Sequence, residues 1–206
     1  MDGDELMFYR VLDYSEKPYK YAYKDLSFLG YDRTLCERCG RNIPALHYAS
    51  GPHRLILEGG RKYPDLLGFH GAGQQMFILS TKALSIFEQH HISGFGEKEQ
   101  IQVLIQHDGE LIEPNDTILD YWFVQITGHI ELKFSSMRLK KKRKCECCGQ
   151  FDWNHQRFYP LILDTCTWNG SDICRITSIP GYIVCTDTVV GLVKEHSLSG
   201  FDFIVL

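Results

Sequence analysis

Of the eight cysteines in the chain, four fall into a pattern suited to holding a metal ion. Cys36-Glu37-Arg38-Cys39-Gly40 and Cys145-Glu146-Cys147-Cys148-Gly149 each set two thiols in a C-x-x-C turn with glycine directly after. Such a knuckle presents two thiolates from one tight turn, and Zn²⁺ favours four of them in a tetrahedron. The glycine relaxes the backbone where amide groups turn toward the sulfurs. A single knuckle is weak evidence; two predict one structural Zn²⁺ on Cys36, Cys39, Cys145 and Cys148. Four thiolates leave no open position for water, which points to a structural rather than a catalytic ion.

The remaining cysteines read differently. Cys147 has neither the two-residue spacing to Cys148 nor the following glycine, so it is not expected as a ligand. Cys166, Cys174 and Cys185 are expected in the core, where free cysteine is commonly buried. A thioredoxin-like redox pair would need its C-x-x-C at a strand-to-helix turn, and neither knuckle precedes a convincing helix. A thiol redox role for Cys145, Cys147 and Cys148 is therefore the weakest alternative. The separation of the knuckles is long for a zinc ribbon. Closing about 105 residues costs roughly 4 kcal/mol of chain entropy, against on the order of 10–16 kcal/mol from structural zinc in small peptides. The metal wins, and would tie two distant parts of the chain together.

No other motif carries chemistry as specific. Gly68-Phe-His-Gly71-Ala-Gly73 lacks the Gly-Lys-Ser/Thr ending of a phosphate loop and reads as a flexible loop. The nine histidines include no H-E-x-x-H pair, and His91 and His196 fit helix ends. No nucleophile–base pair emerges from spacing, so an enzyme is not expected. The run Arg138, Lys140, Lys141, Lys142, Arg143 and Lys144 holds six of the 22 basic residues. It could meet nucleic-acid phosphates, but it has no interleaved aromatic residues and also fits a solvated linker.

The elements that must position the knuckles follow from periodicity. Residues 7–12 read as a strand, followed by a tyrosine-rich, turn-prone stretch from Asp13 to Tyr31. Prolines and glycines make Arg41 to Gly73 loop-rich. Residues 76–79 read as a strand, Ser80 or Thr81 as a cap, and Ala83, Leu84, Phe87 and His91 as one helix face. Ser93-Gly94-Phe95 ends that helix, and strands are expected near residues 101–105, 122–126 and 130–134. The plan then returns: knuckle, strand at 182–185, Thr186 as cap, a helix face of Val189, Leu192, Val193 and His196, Ser199-Gly200-Phe201, and a closing strand. Aligning Phe77–Phe95 with Tyr182–Phe201, with one inserted residue, pairs Ile78 with Ile183, Thr81 with Thr186 and His91 with His196. The expected fold is α+β, with two degenerate repeats of knuckle–strand–helix–strand joined by a split, zinc-ribbon-like site. It would form one domain over residues 1–206, with halves of about 1–137 and 138–206.

Composition sets the outer bounds. Hydrophobic content of 44% with 23% charged residues is ordinary for a globular chain and argues against extensive disorder. Setting aside the basic run leaves 16 basic against 26 acidic residues, a balance of −10 under a formal net charge of −4. An acidic body with one basic stripe suits a charged partner. The start Met1-Asp2-Gly3-Asp4-Glu5 lacks the chemistry of a secretory signal, and no apolar run approaches the roughly 20 residues of a membrane helix. A cytoplasmic location is expected, where cysteines stay reduced or bind metal.

These residues resemble bacterial double-CxxCG-motif proteins, which include immunity proteins of swarming-inhibition and other polymorphic toxin systems. The resemblance spans nearly the whole chain. It rests on Phe8-Tyr9-Arg10, both knuckles, and the ending Asp172-Ile173…Ile183-Val184…Gly200-Phe201. The segment from Gly96 to Met137 matches no motif of that family, and Cys147 and the lysine-rich run depart from its pattern. The resemblance implies a cytoplasmic bacterial protein that binds and neutralises one cognate toxin domain, without catalysis or membrane insertion. The contact surface would lie in Arg41–Gly73 or Gly96–Met137. The alternative is a zinc-ribbon nucleic-acid-binding protein using residues 138–144.

Overall fold

The computed structural model describes residues 7–13, 20–24, 36–40, 54–59, 61–69, 76–107, 110–112, 120–133, 145–147, 161–179 and 182–206. Its regular elements mix strands with two helices, an α+β arrangement. The strands are β1 (Phe8–Asp13), β2 (Lys20–Lys24), β3 (Arg54–Gly59), β4 (Gly68–Phe69), β5 (Met76–Ser80), β6 (Phe95–His107) and β7 (Glu110–Ile112). They continue with β8 (Tyr121–Ile126), β9 (His129–Leu132), β10 (Leu163–Asp164), β11 (Ile173–Ile176), β12 (Ile183–Thr186) and β13 (Phe201–Val205). The helices are α1 (Thr81–Gln89) and α2 (Asp187–Glu195). One sheet has the order β10-β9-β11-β12-β1-β13; the other has β4-β2-β3-β6-β8-β5, with β7 pairing β6.

Between the sheets lies a core to which both sheets and both helices contribute. Phe77, Leu79, Val124 and Ile126 come from one sheet, Ile173, Ile183 and Cys185 from the other, and Leu84, Phe87, Val189 and Val193 from the helices. Because strand side chains alternate between faces, the neighbours of these residues build separate outer clusters. Phe8, Cys174 and Val184 belong to one, and Ile78, Ile101 and Phe123 to the other. The helices fill the inner layer because each presents an apolar stripe at helical spacing: Ala83, Leu84 and Phe87 on α1, and Val189, Val190, Leu192 and Val193 on α2.

Two strand–helix–strand units face each other across this core. In the first, β8 lies between β5 and β6; in the second, β1 lies between β12 and β13. Their registers correspond: Ser80 opposes Tyr121 and Phe95 opposes Ile126, as Thr186 opposes Phe8 and Phe201 opposes Asp13. Ser80 and Thr186 are the N-caps, His90 and His196 the C-caps. The next residues, His91 and Ser197, both turn left-handed, with φ of 56° and 49°. The units therefore align without an inserted residue, pairing Ser80 with Thr186 and His90 with His196. The matches of Thr81 with Thr186 and His91 with His196 are displaced by one position. The units differ at β6, with an irregularity between Phe95 and Lys98, and at the caps, where Ser80 but not Thr186 accepts a helix N–H.

A reciprocal clasp joins the units. Asp65, just ahead of Leu66 in the first unit, accepts from Ser199 N at 2.8 Å, Ser199 Oγ at 2.9 Å and Ser80 Oγ at 2.8 Å. Asp172, just ahead of β11, accepts from Ser93 N at 2.9 Å, Ser93 Oγ at 2.6 Å and Thr186 Oγ1 at 3.2 Å. Each aspartate thus holds the cap of its own unit and the Ser-Gly-Phe turn of the other. The turns need glycine, since Gly94 and Gly200 have φ of +102° and +84°. A Cβ at either would overlap a backbone carbonyl across the clasp, that of Ile173 or Leu66 respectively.

The six-stranded sheet draws on both sides of residue 137, since β1 and β9 belong to it. Several expectations need correction. Arg41–Gly73 contains β3, an interior strand between β2 and β6 whose Leu55, Ile56 and Leu57 are all buried. The strand expected at 101–105 begins at Phe95, inside the segment read as a helix stop. Cys174 and Cys185 are buried as expected, but Cys166 is exposed, on the short 3-10 turn Thr165–Thr167.

Candidate metal centre

The two knuckles, far apart in sequence, meet in space. Within the first, Gly40 N donates to the Cys36 carbonyl at 2.7 Å, and Gly40 has φ of 65°, a conformation that favours glycine. That turn folds Cys36 and Cys39 toward one point. Cys145 joins them from the second knuckle, and the three sulfurs lie within 4.8 Å of one another. Cys36 is buried, while Cys39 and Cys145 are half-buried.

The spacing suits a tetrahedral thiolate site. Sulfurs about 2.3 Å from one zinc stand about 3.8 Å apart at tetrahedral angles, and Cys36 Sγ lies 3.7 Å from Cys145 Sγ. These three cysteines are close enough to hold a metal ion. Cys148, the fourth expected ligand, lies outside the described residues, as does the basic run 138–144. Around the sulfurs, Arg38 of the first knuckle donates to Glu146 of the second. Both side chains are well exposed, at 63% and 77%, so this pair orients the knuckles more than it stabilises them.

Electrostatics prepare the site for a cation. The backbone N–H of Cys39 is the main influence lowering the Cys36 thiol to about 6, with help from the N–H of Arg38 and against the opposing effect of desolvation. Amide donors stabilise the thiolate, the form that binds metal. Cys147 is exposed and shifts the other way: its hydrogen bond to Cys36 and that neighbour's charge favour the protonated thiol. Cys147 therefore adjoins Cys36, but the three sulfurs within 4.8 Å of one another are those of Cys36, Cys39 and Cys145. Burial raises the thiols of Cys174, to about 12, and of Cys185, which makes them inert core groups.

Sequence reading missed Asp65 and Asp172, the acceptors that fix the two units around the core. Each precedes a branched aliphatic residue, in Asp65-Leu66 and Asp172-Ile173, but nothing local ties it to the Ser-Gly-Phe turn it holds. Among the described residues, no helix is long and apolar enough to cross a membrane. No protein-family model matches the chain, and no curated protein matches it. The double-CxxCG resemblance therefore rests on the motifs themselves.

Proposed function

We propose that the chain is a zinc-clamped immunity protein that binds and neutralises a cognate bacterial toxin domain in the cytoplasm. The observation that carries this reading is the convergence of the two C-x-x-C-G knuckles, the specific part of the resemblance to double-CxxCG-motif immunity proteins. Cys36, Cys39 and Cys145 would hold the ion with Cys148 completing the tetrahedron. Bound zinc supplies a closed, structural cross-link with no open coordination position. The chain's own residues do the rest: the knuckle amides hold Cys36 as thiolate, and the Arg38–Glu146 pair aligns the two turns. The matched caps, registers and aspartate clasps support a degenerate repeat in which each unit braces the other. Outside the basic run the chain carries 16 basic against 26 acidic residues, a balance suited to a basic partner, and its role is binding rather than catalysis.

The test is co-expression with any toxin-domain gene encoded beside this one, scored by survival and by co-purification of the two proteins. Rescue by the intact chain, with a stable complex, is the expected result. A chain that neither rescues cells nor binds the toxin domain would remove the proposal, and salt-sensitive binding to DNA or RNA would replace it.

A further inference from the structure

The C-terminal ends of the two helices meet. His90 and His196, the C-caps of α1 and α2, bring their rings together with centroids 5.3 Å apart and planes at 61°. His196 Nε2 is buried and has no hydrogen-bond partner, while His90 is exposed. A neutral imidazole carries one nitrogen with a free lone pair, and burying a polar nitrogen unsatisfied is costly. The same point is electrostatically negative, because each helix directs the partial negative charge of its C-terminus there. α1 has no basic residue in its last turn, and α2 has only Lys194.

Two imidazoles on one tetrahedral ion, each with metal–nitrogen of about 2.0–2.1 Å, place their ring centres about 5 Å apart. We infer that His90 and His196 form a site for a borderline divalent cation of the zinc, nickel or copper class, bridging α1 and α2. Water reaching His90 would complete the coordination. This site is independent of the knuckles: it uses nitrogen rather than thiolate donors and joins the helices rather than the two turns. Because it exists only when the units are docked, occupancy stabilises the folded chain by mass action.

The experiment titrates purified, nitrogen-labelled protein, carrying its knuckle metal, with ZnCl2 beyond the first equivalent. Proton–nitrogen correlation spectra follow the imidazole rings. The expected result is a metal-bound nitrogen shift on His90 and His196 together, with a matching rise in Tm. His90→Asn or His196→Asn should weaken this second binding event by about tenfold or more, whereas Cys36→Ser should affect only the first. Asparagine is tolerated at helix C-termini; should a variant not fold, the wild-type spectra decide alone. Absence of a shift at saturating zinc overturns the inference, as do shifts confined to His91 or His129.

Discussion

Replacing Asp65 with alanine removes the anion that holds Ser80 and Ser199 together. Its side chain is only 13% exposed, and its three accepted hydrogen bonds span 2.8–2.9 Å. A hydrogen bond to a charged group contributes about 1.5–3 kcal/mol net, and an orphaned buried donor costs about 1–3 kcal/mol. The two serine hydroxyls can turn to other acceptors, but the part-buried Ser199 N–H has lost its carboxylate. Lys82, 3.7 Å from Asp65 and 56% exposed, adds little. We therefore expect Asp65→Ala to cost about 3 kcal/mol. Asp172→Ala should cost less, about 1–2 kcal/mol, because Ser93 is exposed and water replaces part of what is lost. Urea unfolding at fixed metal concentration measures both, and a cycle with Ser199→Ala isolates the clasp. Coupling of about 1–2 kcal/mol is expected for Asp65 with Ser199. An Asp65→Ala loss below about 0.5 kcal/mol, or strict additivity with Ser199→Ala, would refute the clasp.

The other expectations concern backbone, metal and acid. Gly200→Ala should destabilise by about 2 kcal/mol or more, through its positive φ and the Leu66 carbonyl, whereas Gly191→Ala, in helix α2 with open space around it, should stabilise by roughly 0.5–1 kcal/mol. Thermal denaturation separates the two. Metal analysis should find about one zinc per chain, lost in Cys36→Ser and retained in Cys147→Ser. In metal-free protein, alkylation of Cys36 should follow a thiol titrating at about 6. Since folding lowers this thiol from 9.0, its contribution to stability is present above that unfolded value and lost as pH falls through about 6. Zinc release should steepen over the same acid range, as read with a chromogenic chelator.

Where the residues repeated a period, the elements were legible. α1 and α2 show apolar faces at helical spacing, and β8, β12 and β13 were located to within a residue or two. The paired knuckles announced their convergence because two C-x-x-C-G turns have few other uses in a reduced chain. β3 was hidden because its buried Leu55-Ile56-Leu57 run, flanked by strands on both sides, shows none of the alternation of a half-exposed strand. The true alignment of the units was obscured because the cap is Ser80 in one and Thr186 in the other, while Thr81 invites the wrong match. The middle strands also share a pattern, Phe8-Tyr9-Arg10-Val11 beside Tyr121-Trp122-Phe123-Val124. They precede and follow their helices respectively, so reading along the chain does not bring them together. The clasps were illegible for a related reason, because a carboxylate's partner in a different unit leaves no local spacing.

The position of β1 also dictates an order of events during synthesis. Of the described strands β1 is made first, yet both of its neighbours, β12 and β13, are made last. The first unit has all its strands by Ile126, but its Ser93 turn must wait for Asp172. Strands β2 to β11 are thus all made before the contacts that bury Phe8 and half-bury Val11. Such high contact order slows folding and prolongs exposure of apolar strand edges. Truncating the last strand should therefore leave β1 as an aggregation-prone edge rather than a shorter native protein.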